Sequence, residues 1–289
     1  MDGYKKEYKL MRCDLRWGAV LVLSGVLGLL SACGGSGFSP AVTGVQVQTL
    51  QYGRTASIYV GGNDLRSTMV ADLGPGCTSP AFSSTGSSTT LAVLTCNVTA
   101  VGALPLTIKS AEGQVLYQTS LTVPKPQVVL ANGQSSVTLE LDPAAAPVTV
   151  NNFLAYVKQG FYKDTLIHRV IKGFVIQGGG YTTGMVKKAG QTAAIALESN
   201  NGLSNLRGTV AMARTSDPNS ATSEFFINLV DNTSLDHVSA SSPGYAVFGK
   251  VISGMDVVDG IALQPTGSVN GFSDVPLTDV TVTSVTQIK

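Results

Sequence analysis

Apolar residues recur along this chain in two rhythms. Between residues 41 and 123 they come in short alternating runs, at 45–47, 58–60, 91–93, 106–108, 116 and 121–123, parted by turn residues such as G-G-N-D at 61–64 and G-P-G at 74–76. Alternation sends every second side chain to one face, so these runs predict half-buried strands. No stretch of helical length and spacing interrupts them, and the segment reads as a β-sandwich of immunoglobulin-like type. Pro124-Lys125-Pro126 then marks a stiff boundary, because proline has no N–H to give to a ladder. Beyond it, Val137, Leu139 and Leu141 alternate with Thr138, Glu140 and Asp142, and Pro143 and Pro147 frame a turn. Val150, Phe153, Leu154 and Val157 then follow at helical spacing, and Gly160 is placed to end that helix. Strands are predicted at 166–170, 174–177, 209–213, 225–229, 246–251 and 280–285, with a short helix at 255–261. The whole is mainly β, and its second part reads as a barrel or sandwich plugged by helices.

The first residues follow a different rule. Lys5, Lys6, Lys9, Arg12 and Arg16 precede an uncharged apolar run at 18–30, and small residues follow at Ser31 and Ala32. This is the layout of a secretory signal at 1–32. A membrane-spanning helix needs about 20 apolar residues, and this run is shorter and carries three glycines. Leu30-Ser31-Ala32-Cys33 resembles the lipobox of bacterial lipoproteins, whose cysteine is acylated and becomes the new N-terminus. Residues 33–40 would then be a flexible tether. The resemblance implies a periplasmic protein held by a lipid on Cys33, to the outer membrane since Gly34 rather than Asp follows. Met11 is an alternative start that leaves a signal of more usual length.

Cysteine arithmetic agrees with that address. Cys13 leaves with the signal, so Cys33, Cys77 and Cys96 would reach an oxidising compartment as an odd set. Lipidation uses Cys33, and Cys77 with Cys96 are left to form a disulfide worth about 3 kcal/mol to a domain with a small core. Their spacing is not C-x-x-C, which argues against redox chemistry.

Charge excludes some functions. The 289 residues carry 19 Lys and Arg against 18 Asp and Glu, a net charge of +1, which lacks the long-range field that holds phosphate backbones. Nucleic acid is not an expected partner. With two histidines and scattered cysteines there is no zinc-ligand spacing, so no metal is expected.

The most informative stretch is I-H-R-V-I-K-G-F-V-I-Q-G-G-G at 167–180. Alternation sets Arg169 between apolar neighbours, opposite to Val170. A lone arginine there reads as a solvated strand face, but two further segments alter the reading. G-T-V-A-M-A-R-T-S-D-P-N-S-A-T-S-E-F-F-I-N at 208–228 and Y-A-V-F-G-K-V-I-S-G-M-D-V-V at 245–258, together with the first stretch, resemble the cyclophilin family of peptidyl-prolyl cis–trans isomerases. P-V-T-V-N-N-F-L-A-Y-V at 147–157 and F-Y-K-D-T at 161–165 extend the likeness over residues 127–289, nearest to the bacterial secreted branch.

The resemblance implies a closed eight-stranded antiparallel β-barrel with two capping helices at 127–289, following a β-sandwich domain at 41–123. It assigns Arg169, Phe174 and Gln177 to catalysis. Val175, Phe226 and Leu235 would join Phe174 as walls of a proline pocket. The backbone of Ala213 and Arg214 would pair with the peptide as an added strand, and Tyr245 would stand where many members carry histidine. The partners implied are proline-containing unfolded or flexible polypeptides.

Three positions depart from the family. Val175 replaces a methionine, Ser234 takes the place of a bordering aromatic ring, and Glu224 stands where glutamine is usual, which adds a carboxylate beside the groove. The last two keep a second reading open, a non-catalytic chaperone or peptide-binding scaffold. An adhesive role for 41–123 is a third.

Other features weigh less. His168 is expected to make a structural hydrogen bond rather than to act as a base. Ser223, Glu224 and His237 lack the G-x-S-x-G elbow of a hydrolase. Gly178-Gly179-Gly180 lacks the lysine of a phosphate loop and reads as a turn. Residues 236–243 form a Ser-rich loop.

Overall fold

The computed structural model describes residues 39–48, 50–66 and 68–289, and residues 39–289 form one compact unit. The expected signal at 1–32, the expected lipidation site Cys33 and nearly all of the expected tether at 33–40 lie outside the described residues.

The first part is β1 (Ala41–Val47), β2 (Thr55–Asn63), β3 (Val70–Asp72), β4 (Cys77–Ser83), β5 (Leu91–Val98), β6 (Gly102–Lys109) and β7 (Val115–Val123). They make two sheets, of order β1-β2-β5-β4 and β3-β6-β7, antiparallel throughout. Ile58, Val60 and Leu94 of the first sheet and Leu104, Leu106 and Ile108 of the second are all fully buried in one core. The alternation read from sequence thus has its cause in a shared apolar interior. Cys77 and Cys96 form a disulfide between the neighbouring strands β4 and β5, with Cα atoms 5.7 Å apart.

After the Pro124–Pro126 boundary come β8 (Gln127–Asn132), β9 (Ser135–Leu141), α1 (Pro147–Lys158), β10 (Ile167–Ile171), β11 (Val175–Gly178), β12 (Tyr181–Thr182) and β13 (Val186–Lys187). The chain continues through β14 (Thr209–Met212), β15 (Phe225–Asn228), β16 (Val247–Ser253), α2 (Met255–Ala262), β17 (Thr266–Val269), β18 (Phe272–Pro276) and β19 (Ser284–Gln287). Eight strands form one sheet of order β10-β11-β15-β14-β16-β9-β8-β19.

That sheet is a curled half-barrel and not the closed barrel expected. Its end strands β10 and β19 share no ladder, and beside them Leu166 meets Thr281 as an isolated bridge. The reason lies in residues 280–283, where a strand was expected. Val282 N donates to Thr165 O at 2.8 Å and Ile167 N to Val280 O at 2.9 Å, so this stretch laces the loop before β10, and only 284–287 pair as a strand, with β8.

Both helices cover the inner face. Phe153 of α1 is wholly buried, with ring centroids of Tyr162, Phe225 and Phe248 at 5.1, 5.7 and 5.3 Å. Truncating such a ring to alanine costs about 3–5 kcal/mol. Val258 and Ile261 of α2 line a small apolar cavity with Ile167, Ile176 and Ile227. A buried tyrosine joins the two parts of the chain: Tyr52 Oη donates to Asn151 Oδ1 on α1 at 2.9 Å, and Gln287 Nε2 donates to Tyr52 O at 3.0 Å.

Candidate active site

Strand register assembles the site. Arg169 on β10 is paired with Gln177 on β11, Gln177 with Phe226 on β15, Phe226 with Ala211 on β14, and Ala211 with Val247 on β16. Residues paired across neighbouring strands share a face, so one row crosses five strands and runs from a guanidinium through an amide to an apolar floor. Val175, two residues from Gln177, lies on the same face. Val175, Ala211, Phe226 and Val247 form a small buried cluster of their own, with Phe174, Leu203, Ala213, Leu235 and Tyr245 packed around it. The alternate residues Val170, Ile176, Ile227 and Val210 belong to the main core. A bulge between Ile167 and Arg169 turns Arg169 into register with Gln177 and tucks His168 inside.

Arg169, Phe174, Val175, Gln177, Ala213, Arg214, Phe226, Leu235 and Tyr245 together line one cleft, so every cleft residue expected from sequence is brought to one place. Its cavity of about 210 Å³ is below the ~300–1,000 Å³ of sites that enclose drug-sized ligands. It has room for a residue or two of an extended chain.

Each wall is held from behind. Arg169 Nη1 donates to Gln177 Oε1 at 3.3 Å, and its Nε lies 4.0 Å from Asp274 Oδ2 on β18. Tyr245 stands edge-on to Phe226 with centroids 5.6 Å apart, and the Arg214 guanidinium lies over the Tyr245 ring at 4.6 Å. Arg214 Nε donates to Gly244 O at 3.0 Å. Gly244 has φ +67°, and a Cβ there would sit 2.5 Å from Asp236 C, so the turn that presents Tyr245 requires glycine. Ala213 N donates to Glu224 O at 2.9 Å, which commits its N–H to the protein's own ladder.

Glu224 stands against the cleft residue Gln177, its side chain 23% exposed: Oε2 accepts from Gln177 Nε2 at 3.0 Å and lies 3.4 Å from His168 Nε2. Burial pushes this carboxyl up, but His168, the Gln177 amide and Lys187 outweigh burial and hold it below the usual glutamate range. Burial and the same carboxylate raise the Tyr181 phenol. His168 is 4% exposed and its ring meets Tyr181 edge-on at 4.8 Å.

Several supporting residues had no signal in the sequence. Asn232 Nδ2 donates to Phe174 O and to Asn228 Oδ1, at 2.9 and 2.8 Å, fixing the backbone that presents the Phe174 ring. Asp236 accepts from Asn205 N at 2.7 Å, from Asn205 Nδ2 at 2.9 Å and from Ser204 Oγ, pinning the turn that carries Leu235. The carboxyl of Asp236 is pushed up by burial and pulled down further by those donors, to a net lowered value. Polar residues of such turns are so common that only the folded geometry singles these out.

The side chains of the hydrolase reading have other partners. Ser223 Oγ is buried and donates to Gly179 O at 2.7 Å, while His237 Nδ1 lies 3.2 Å from Pro243 O. Among the described residues no group of three or more His, Cys, Asp and Glu side chains is placed to hold a metal ion.

Residues 127–287 match the family described as Cyclophilin type peptidyl-prolyl cis-trans isomerase/CLD. The chain is similar to the peptidyl-prolyl cis-trans isomerase cyp18 of Streptomyces antibioticus, 52% identical over 159 residues, covering 54% of this chain and 95% of the relative. It is similar also to peptidyl-prolyl cis-trans isomerase B of Escherichia coli (strain K12), 54% identical over 143 residues, 49% of this chain and 87% of the relative. A solved cyclophilin-type isomerase of Cryptosporidium parvum aligns at 25% identity and a TM-score of 0.48, covering 57% of this chain and 98% of that one. Through residues 127–287, this chain belongs to the cyclophilin-type peptidyl-prolyl cis-trans isomerase family.

Proposed function

We propose that this protein is a peptidyl-prolyl cis–trans isomerase for exported polypeptides, lipid-anchored through Cys33 on the periplasmic side of the outer membrane. Its catalytic device is Arg169 beside the apolar cleft. The observation that carries the reading is the row in which Arg169, Gln177 and Phe226 follow one another across three strands.

The chemistry asks for little more. Rotation about a prolyl peptide bond is opposed by roughly 18–20 kcal/mol because nitrogen shares its lone pair with the carbonyl. Uncatalysed exchange takes tens to hundreds of seconds. In the twisted state that lone pair is free to accept a hydrogen bond. A guanidinium beside a proline held by Phe174, Val175, Phe226 and Leu235 would meet it only there, and so lowers the barrier without tightening the ground state. Gln177 holds Arg169 through Oε1. No bond is made or broken and no proton is moved, so the reaction needs no cofactor and no ATP.

Residues 41–123 we take as a spacer or client-binding module within the same compact unit. An immunoglobulin-like reading of this part is supported by its strand order, β1-β2-β5-β4 against β3-β6-β7, which constant-type sandwiches share. The disulfide differs from theirs, since it joins strands within one sheet. A peptide-binding scaffold is the second reading, favoured by Ser234, which is exposed and adds no ring to the cleft.

Exchange spectroscopy on short peptides with varied residues before proline tests the activity. The reading expects faster cis–trans exchange with no added cofactor; peptide binding without acceleration makes the protein a scaffold. Cys33→Ser is expected to release the protein from the membrane fraction, and retention there contradicts the anchor.

A further inference from the structure

We propose that Glu224 is a positioning residue for Arg169, acting through Gln177, and that its ionisation sets an acid limit on activity. The inference rests on the isomerase reading above and concerns the group behind the catalytic pair.

Gln177 lies between two charged groups. Its amide has one donating and one accepting end, and nothing within the side chain decides which faces which neighbour. An ionised carboxylate only accepts, so Glu224 Oε2 at 3.0 Å takes the Nε2 end. The Oε1 end is then left for Arg169, whose Nη1 lies 3.3 Å away and only donates. The charge on Glu224 thus fixes the direction of the whole relay, and Arg169 is held by an acceptor.

Two features hold Glu224 in turn. His168 Nε2 lies 3.4 Å from the same oxygen, and His168 Nδ1 is buried with no partner among the described residues. Because an ionised carboxylate only accepts, the ring nitrogen that faces it, Nε2, is the one that carries a proton. Gly180 provides the space: a Cβ there would lie 2.5 Å from Glu224 Cγ and 2.6 Å from Cδ.

Protonation reverses the logic. A neutral Glu224 donates as well as accepts, Gln177 is free to turn its amide, and its N–H end would then face the guanidinium donor to donor. The groups facing Glu224 are His168 on β10, Gln177 on β11, Tyr181 on β12 and Lys187 on β13. His168, Gln177 and Lys187 hold the carboxyl low against burial, so the change falls on the acid side of the usual glutamate range.

The test compares wild type, Glu224→Gln and Glu224→Ala by peptide exchange across pH, with peptide Kd and the side-chain amide signals of Gln177 measured alongside. Glu224→Ala is expected to lower kcat/KM about tenfold, the size of one lost charge-assisted hydrogen bond, mainly through kcat and with Kd little changed. Glu224→Gln preserves shape and offers Gln177 either end. Arg169 still selects the Oε1 end, so this variant is expected to keep kcat/KM within a few-fold of wild type and to lose the acid limb, while its Gln177 amide signals stop titrating. Wild-type kcat/KM in Glu224→Ala, or an unchanged acid limb in Glu224→Gln, overturns the proposal. Arg169→Ala in the same series separates the two readings. If it alone is inactive, only the role of Glu224 fails; if it is fully active, the isomerase mechanism fails first.

Discussion

Glu198 closes the first turn of α1 from 49 residues away: its Oε2 accepts from Thr149 N at 2.8 Å and from Thr149 Oγ1 at 2.7 Å, while Oε1 accepts from Val148 N at 3.0 Å. The residue at the helix N-cap is Ala146, which has no side chain able to cap. A remote carboxylate thus takes the donors that a local Ser or Asp takes elsewhere, and meets the positive end of the helix dipole. Glu198→Ala should cost about 1–2 kcal/mol. Thermal unfolding should fall by about 2–4 °C per kcal/mol, with peptide exchange at 25 °C unchanged.

Gly180→Ala should damage activity without unfolding the protein. The new methyl overlaps Glu224, and overpacking of this kind costs about 1–3 kcal/mol when neighbours must shift. Yielding here means that Glu224 leaves Gln177. We expect a several-fold fall in kcat/KM with native circular dichroism; full activity would mean that the carboxylate moves aside at no cost to Arg169.

Asp236 supplies a pH-dependent part of stability. Its carboxyl is lower in the folded than in the unfolded chain. Its contribution is therefore complete above the unfolded value of about 3.9 and is lost as pH falls through the lower folded value. Asp236→Asn should be clearly less stable than wild type at pH 7, and the gap should narrow below about pH 3–4. A gap that widens on acidification would reverse the sign of the linkage.

The Cys77–Cys96 disulfide joins residues 19 apart. Loop closure of that size is worth about 3 kcal/mol through the unfolded chain. Reduction should lower the urea midpoint and leave peptide exchange intact in the protein that remains folded. A loss of exchange at full foldedness would tie the bridge to the cleft.

How much of this was legible beforehand depends on how local the signal is. α1 and β9 declare themselves by periodicity, and α1 ends at Lys158, two residues before the Gly160 placed to end it. The β17–β18 hairpin was missed although Asn270-Gly271 sits at its turn, with φ of 47° and 86°, an available hairpin signal. β3, with three residues, is too short for alternation to register. The closed barrel failed for a different reason: closure depends on where residues 280–283 bond, and period-two patterning is silent on partners. In the site, Arg169 and Gln177 came from motif likeness, and their pairing follows from register. The contact of Glu224 with Gln177 could not be read, because the motif gives the residue but not the side-chain partner it finds across the strands.

The central claim is that Arg169 acts on the twisted imide. Its most direct test is the exchange rate of Arg169→Ala measured beside its peptide Kd. The account predicts at least a hundredfold lower kcat/KM, about 2.7 kcal/mol of transition-state stabilisation, with Kd within a few-fold of wild type. Exchange as fast as wild type in a folded Arg169→Ala protein would contradict it.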